Sequence, residues 1–233
     1  MTRVAIMQPY LLPYIGYFQL IAAADTFVLF DDVHYINRGW INRNRMLVNG
    51  AAHTFTVPLR GASQNLCICE IAIADQPVWR DKLLRTFQQA YARAPQYATV
   101  MPLLERILMF PSQHLAEFLS NSLQEVARAL RLRARFVESS RTYQNQHLKG
   151  QDRILDICVR ERASAYINLP GGAGLYDASQ FAQRGLQLRI LKPRPLSYAQ
   201  GRSAHVPWLS IIDVMMFNSV GVVQQALQER DLQ

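Results

Sequence analysis

Asp31 and Asp32, followed by Tyr35, Arg38, Trp40, Asn42, Arg43 and Arg45, form the stretch of this 233-residue chain whose side chains could do the most chemistry. Two neighbouring carboxylates can hold a cation, orient a hydroxyl or act as a base, and Tyr35 stands beside them. Asp31, Asp32 and Tyr35 are therefore the candidate catalytic residues. The plainer reading stands beside this one: Asp32 caps a turn and Asp31 pairs with an arginine. Arg38, Arg43 and Arg45 carry planar forks that grip a phosphate or carboxylate at two points. With Asn42 as a further hydrogen-bonding group and Trp40 as a flat apolar face, the set suits a nucleotide or a phosphorylated sugar.

The elements that must position these groups can be read on either side of them. Val4-Ala5-Ile6-Met7 is an apolar run of strand length, and Pro9 and Pro13 end it because each fixes φ and lacks an N–H. From Ile15 the spacing turns helical, with Tyr17, Leu20, Ile21 and Ala24 on one face, before a second strand at Phe27-Val28-Leu29-Phe30. A right-handed crossover between two parallel strands leaves the first loop at the carboxyl edge of the sheet, beside a helix N-terminus that welcomes anions. Gln8, Tyr10, Tyr14 and Gly16 are candidate ligand-binding residues on that ground. A later strand ending at Asn168 runs into Pro170-Gly171-Gly172-Ala173-Gly174-Leu175-Tyr176, where glycines let backbone approach a ligand, and it adds Asn168, Gly171, Gly172 and Tyr176. Lys149 and Asp152 lie on the approach to a helix running through Cys158 and join the same list. The loops Pro9 to Tyr14, Asp31 to Arg45 and Pro170 to Tyr176 all follow parallel strands, so they are expected to line one cleft.

Two resemblances attach to these motifs. Tyr14-x-Gly16-Tyr17 stands where the HxGH signature of HIGH-type nucleotidyltransferases and pantothenate synthetases stands, with both histidines replaced by tyrosine. Gln8-Pro9-x-x-Leu12-Pro13-x-x-Gly16-Tyr17 more closely resembles the WbqC-like family, named from bacterial O-antigen gene clusters. The likeness returns at Asn168, Gly171-Gly172 and Tyr176-Asp177, and at Leu209-Ser210-Ile211-Ile212-Asp213. It implies a transferase of cell-surface polysaccharide or related small-molecule biosynthesis, moving an amino-acid or acyl group to an amino sugar or nucleotide-linked acceptor. Two other readings stay open: a nucleotidyltransferase or adenylate-forming ligase, and a non-catalytic module for a nucleotide or tRNA. No cofactor is specified, although magnesium accompanying a nucleotide is compatible with the carboxylates. The expected partner is a small-molecule or nucleotide-linked substrate, with tRNA as the macromolecular option.

The remaining chain points to a three-layer α/β fold with a mainly parallel, Rossmann-like sheet that resembles the HIGH-type nucleotidyltransferases, with strands near residues 4, 27, 135, 166 and 188. A β-hairpin over 40–60, turned by Asn49-Gly50, and a helical insertion over about 78–132 are added to a single domain spanning 1–233. Cys67 to Ile73 alternates as a further strand, the insertion carries nothing catalytic, and Ser210 caps a helix in which Asp213 is an anchor or a site residue. Half of the residues are hydrophobic and 18% charged, which excludes a disordered chain. Apolar runs too short to span a bilayer and the lack of a secretory pattern at Met1-Thr2-Arg3 lead to a cytoplasmic expectation without membrane insertion. The five histidines and Cys67, Cys69 and Cys158 show no ligand spacing, so no metal site is expected. The net charge of +8, almost all of it from arginine, suits phosphate or carboxylate recognition and is compatible with nucleic acid.

Overall fold

The computed structural model describes residues 2–74, 78–201 and 204–233. Its centre is β1 (Arg3–Met7), which leads through α1 (Ile15–Ala23) to β2 (Thr26–Leu29). There follow the hairpin β3 (Arg43–Val48) and β4 (Ala51–Thr56), the small pair β5 (Leu59–Arg60) and β6 (Ala72–Ile73), and three helices, α2 (Val78–Tyr91), α3 (Tyr97–Leu108) and α4 (Leu115–Ala129). The sheet resumes with β7 (Arg135–Val137), α5 (Gly150–Arg160), β8 (Ala165–Asn168), α6 (Ala178–Gln183) and β9 (Gln187–Pro193). The chain then closes with α7 (Ile211–Phe217), α8 (Val220–Gln228) and β10 (Arg230–Leu232).

The main sheet runs β10-β9-β8-β1-β2-β7 and is parallel except for β10 at its edge. β1 pairs with β2 on one side and β8 on the other, so the winding reverses there and a crevice opens at the carboxyl ends. This is a Rossmann-like α/β architecture, with strands at all five expected places.

Alternation along the strands sorts the core into two layers. Ala5, Phe27, Leu29, Ile167 and Leu191 pack under α1, the α2–α4 helices and the α7–α8 tail. Val4, Ile6, Val28, Val137 and Tyr166 face α5 and α6. Each fully buried aliphatic or aromatic side chain contributes about 1.5–3 kcal/mol relative to exposure, and that gain fixes the register. Helices α2–α4 share the first of these cores with the sheet.

Three elements depart from expectation. Cys67 to Ile73 is not a continuous strand: Ile68–Glu70 forms a 3₁₀ turn in which the Glu70 carboxylate accepts from the Cys67 N–H at 2.7 Å. The buried positions are Ile68 and Ile71, a spacing of three, and only Ala72–Ile73 pairs as strand. The apolar spacing between Pro102 and Pro111 predicts a helix over Leu103 to Phe110, whereas α3 begins at Tyr97, ahead of Pro102, because the turn before the proline is already closed by Gln96 carbonyl bonds. β10 was not expected, its tripeptide being too short and polar to signal a strand. No described helix is long and apolar enough to cross a membrane.

Candidate functional site

The acidic pair is divided by the pleat. Phe27 and Leu29 face the inserted helices, and two positions on Asp31 faces the same way; Val28 and Phe30 face α5, and Asp32 follows them. Asp32 is 8% exposed and pairs with the buried Arg153 of α5, whose guanidinium lies 4.7 Å from the Phe30 ring centre. Gln146 donates to the same carboxylate at 2.9 Å, Ser140 donates to its other oxygen, and Arg153 Nε donates to Asn145 Oδ1 at 2.9 Å. This carboxylate is tied up on both oxygens.

Asp31 is built otherwise. Its Oδ1 accepts from Ser139 Oγ at 2.8 Å and the Ser140 N–H at 3.0 Å, with the Ser140 hydroxyl, whose proton goes to Asp32, 3.3 Å away. Its other oxygen takes no hydrogen bond among the described residues, and the residue lines a cleft of about 500 Å³ between the ends of β2 and β7 and the outer side of α4. Burial pushes the Asp31 carboxyl above its ordinary range, the Ser139 and Ser140 donors offset part of that rise, and the neighbouring Asp32 adds to it. The remaining polar lining comes largely from His114, Glu117, Ser120, Asn121, Gln124 and Arg128. Asn121 Nδ2 is buried there without a partner among the described residues. Cys69 also lines this cleft, but burial and then the Asp31 charge push its thiol up to about 11, so it carries little thiolate at neutral pH.

A second cleft, of about 320 Å³, opens where the first loop meets the hairpin and the tail. Tyr10, Tyr14, Trp40, Asn44, Arg45 and Trp208 line it. The loop is held on both sides. Asn44 Nδ2 donates to the Leu11 carbonyl at 2.9 Å and the Leu12 carbonyl at 2.6 Å, Ser210 Oγ donates to the Leu12 carbonyl at 2.8 Å, and the Ile211 N–H donates to the Pro13 carbonyl at 2.8 Å. Leu12 (φ 42°), Arg38 (φ 59°) and Trp208 (φ 60°) sit in the left-handed region, a strain of about 1–3 kcal/mol each that persists only where surroundings over-determine it. Arg45 and Arg43 both place their guanidiniums 5.5 Å from the Trp40 ring centre. Arg45 Nη2 reaches the Trp208 carbonyl at 3.3 Å, and its Nε is buried with no partner among the described residues.

The single expected cleft is therefore corrected to two. Tyr10, Tyr14, Trp40 and Arg45 come together in the aromatic cleft, and Asp31 stands in the polar one. Tyr35 donates to Asn42 Oδ1 at 2.8 Å while Asn42 donates to the Val57 carbonyl at 2.8 Å, so both are engaged in holding the hairpin. Arg43 donates to the carbonyls of Gly39, at 2.8 Å, and Arg38, while the Arg38 side chain itself is exposed. Gln8 offers its carbonyl to the Tyr17 hydroxyl at 2.9 Å. Gly16 is a packing glycine, since a Cβ there would overlap the Tyr14 ring and lie 2.8 Å from Pro193 Cβ.

The glycine-rich loop ends the same edge of the sheet but lines neither cleft. Asn168 Oδ1 accepts from the Leu169 N–H at 2.8 Å, Gly172 sits against the Asn168 amide, Gly171 faces open space, and Tyr176 packs edge-on to Tyr166 with ring centres 5.4 Å apart. Lys149 and Asp152 are exposed at the start of α5, outside both clefts. Asp213 is the anchor of the tail: fully buried, it accepts from Tyr198 at 2.6 Å, Gln200 at 2.7 Å and Tyr91 at 2.8 Å.

The α4 wall is what the sequence reading passed over. Glu117, Asn121, Gln124 and Arg128 recur at helical spacing opposite the apolar stripe, a polar face indistinguishable from a solvated one until the sheet edge is set across from it. Trp208 was also missed, although it stands two residues before the family-like Ser210. Among the described residues no three His, Cys, Asp or Glu side chains gather as a metal set.

The model of the WbqC-like protein family matches residues 8–225. The chain is similar to a Mycobacterium tuberculosis protein described as uncharacterized protein Rv1507c, with 26% identity over 222 residues covering 94% of each chain. No solved structure matches it.

Proposed function

The chain belongs to the WbqC-like protein family, and from that premise we propose that it is a transferase of cell-surface polysaccharide or related small-molecule biosynthesis. The group moved is an amino-acid or acyl group, and the acceptor is an amino sugar, free or nucleotide-linked. The observation that carries this reading is Asp31: one oxygen oriented by the Ser139 hydroxyl and the Ser140 N–H, the other open to a polar cleft, and a carboxyl raised by burial. The acceptor amine or hydroxyl attacks the acyl carbon, the new C–N or C–O bond forms as the bond to the donor's leaving group breaks, and the nucleophile's proton passes to Asp31. Hydroxyls of a sugar find Glu117, Gln124 and Glu138 as acceptors in the same cleft, and the Asn121 amide, unpartnered among the described residues, is a donor for a carbonyl.

The nucleotidyltransferase alternative has less support. Tyr17, at the second histidine position of the HxGH signature, is buried and already bonded to the Gln8 carbonyl, so it cannot touch a phosphate. The net charge of +8 favours a tRNA-binding reading, which steeply salt-dependent RNA affinity would distinguish from a small-molecule enzyme. Calorimetry with ATP, CTP and UDP- or dTDP-linked amino sugars, each with and without magnesium, tests the transferase proposal. Binding by a sugar nucleotide is the expected result, and no binding by any of them, or by the free amino sugars, at millimolar concentration defeats it.

A further inference from the structure

From the aromatic cleft we infer a binding site for a nucleoside phosphate, with the base against the aromatic walls and the phosphate on Arg45. The inference rests on the transferase reading for its biological sense and on the cleft alone for its chemistry.

Arg45 is the reason to expect an anion. A guanidinium always carries its charge and has five N–H donors, and Arg45 lines the cleft with its Nε unpartnered among the described residues. Its hydrogen-bond partner among the described residues is the Trp208 carbonyl, at the long distance of 3.3 Å. Arg43 beside it is consumed by the Arg38 and Gly39 carbonyls, so the two arginines of one strand face have separate tasks: Arg43 fixes the loop that carries Trp40, and Arg45 is left to the ligand. No carboxylate is among the residues lining the cleft to compete for Arg45.

The aromatic side chains supply the ring-binding half. Trp40 and Trp208 are about half exposed, at 48% and 47%. Tyr14 meets Trp208 edge-on with ring centres 5.7 Å apart, which holds that wall in place. Stacking on such faces tolerates any base. A volume of about 320 Å³ is at the lower end for a small-molecule site and suits one nucleotide, leaving an attached sugar to extend outside. The left-handed backbone at Leu12 and Trp208 is the further mark of a preformed site.

Tryptophan fluorescence and calorimetry with uridine, UMP, adenosine, AMP and inorganic phosphate test this directly, since Trp40 and Trp208 report from the cleft. In the unmodified protein each nucleotide should bind about 10-fold or more tightly than its nucleoside, as expected for a charged hydrogen bond. Arg45→Gln should erase that difference while nucleoside affinity persists, Arg45→Lys should retain part of it, and Trp208→Leu should weaken nucleoside and nucleotide alike. Equal affinity for nucleotide and nucleoside in the unmodified protein, inorganic phosphate binding as well as UMP, or unchanged UMP affinity in Arg45→Gln would each overturn the site. The first two comparisons need no variant and so survive a failure to fold. Asp31→Asn should leave UMP affinity within about twofold, because a carboxylate outside the cleft makes no contact there. Loss of turnover in that variant bears on the transferase reading, and UMP affinity bears on the cleft.

Discussion

The two clefts open from neighbouring loops of one sheet edge, yet they are made by different means. The polar cleft is walled by side chains on ordinary backbone: a regular helix, α4, and the residues that end β2 and β7. The aromatic cleft is walled by irregular backbone, with Leu12, Arg38 and Trp208 in left-handed conformations and the first loop bonded to both the hairpin and the tail. A helix wall gives many rotatable hydroxyl, amide and carboxyl groups that can follow a reacting centre. A cross-braced loop gives a shape fixed before the ligand arrives, which lowers the ordering cost of binding. On the transferase reading we propose, this difference suits proton transfer at the first and recognition at the second.

The comparison breaks most visibly if Asp32, and not Asp31, is the carboxylate that chemistry needs. Arg153→Met strips Asp32 of its buried partner and should cost about 3–5 kcal/mol. For a chain of this length that is about 2–4 °C of melting temperature per kcal/mol, read by thermal denaturation. A variant that melts like its parent would show that the pair is not a structural anchor.

Asp31→Asn should do the opposite: turnover falls about 100-fold or more while the fold holds, because Ser139 and Ser140 still find an oxygen to bond. The sign of the pH effect follows from the raised carboxyl. A folded pKa above the unfolded value near 3.9 favours folding only when the group is protonated, so its contribution is present below about pH 4 and lost as pH rises through the raised value. Asp31→Asn should therefore melt no lower than the parent at pH 7, and the two should converge in acid. The parent's rate should fall on the acid side at a pH above the ordinary aspartate range. A rate limb at the ordinary value, or a variant that simply unfolds, removes Asp31 from the base role.

Asn44→Ala separates the two clefts from each other. It leaves the Leu11 carbonyl without its donor and the Leu12 carbonyl with Ser210 alone, at a cost of about 1–3 kcal/mol, and loosens the loop carrying Tyr10 and Tyr14. UMP affinity should drop several-fold, while kcat for an acceptor bound at saturation should change little. A parallel loss of kcat would show that the clefts work as one.

How far the sequence carried this picture depended on whether a signal was local. β1, α1, β2 and the Asn49-Gly50 hairpin were legible because alternation, helical spacing and turn residues are written within a few positions. The split of Asp31 from Asp32 was implicit in the same alternation, since the strand before them already sends odd and even residues to opposite faces. The partners were not legible: Arg153 lies 121 positions from Asp32 and Ser139 lies 108 from Asp31. The α4 wall was hidden for a related reason, a polar helix face being the same string whether it meets water or a substrate. Cys67 to Ile73 misled because Ile71 and Ile73 alternate, while the Glu70 side chain bonded to the Cys67 N–H closes a turn that alternation does not encode.

The smallest expected effect concerns the glycine-rich loop, which lies on the site edge without entering either cleft. If its glycines were there to let backbone approach a ligand, Gly171→Ala would obstruct binding, because that position faces open space where a ligand could lie. We expect no change in UMP affinity or in turnover, and a stability change within about 0.5 kcal/mol, as for surface positions without special contacts. Gly172→Ala is the internal control. A Cβ there would overlap the Asn168 amide, whose oxygen holds the Leu169 N–H, so it should cost about 1–3 kcal/mol through displaced packing and still leave ligand affinity unaltered. A loss of binding in Gly171→Ala without loss of stability would add the loop to the site as a third wall and end the division of labour between two.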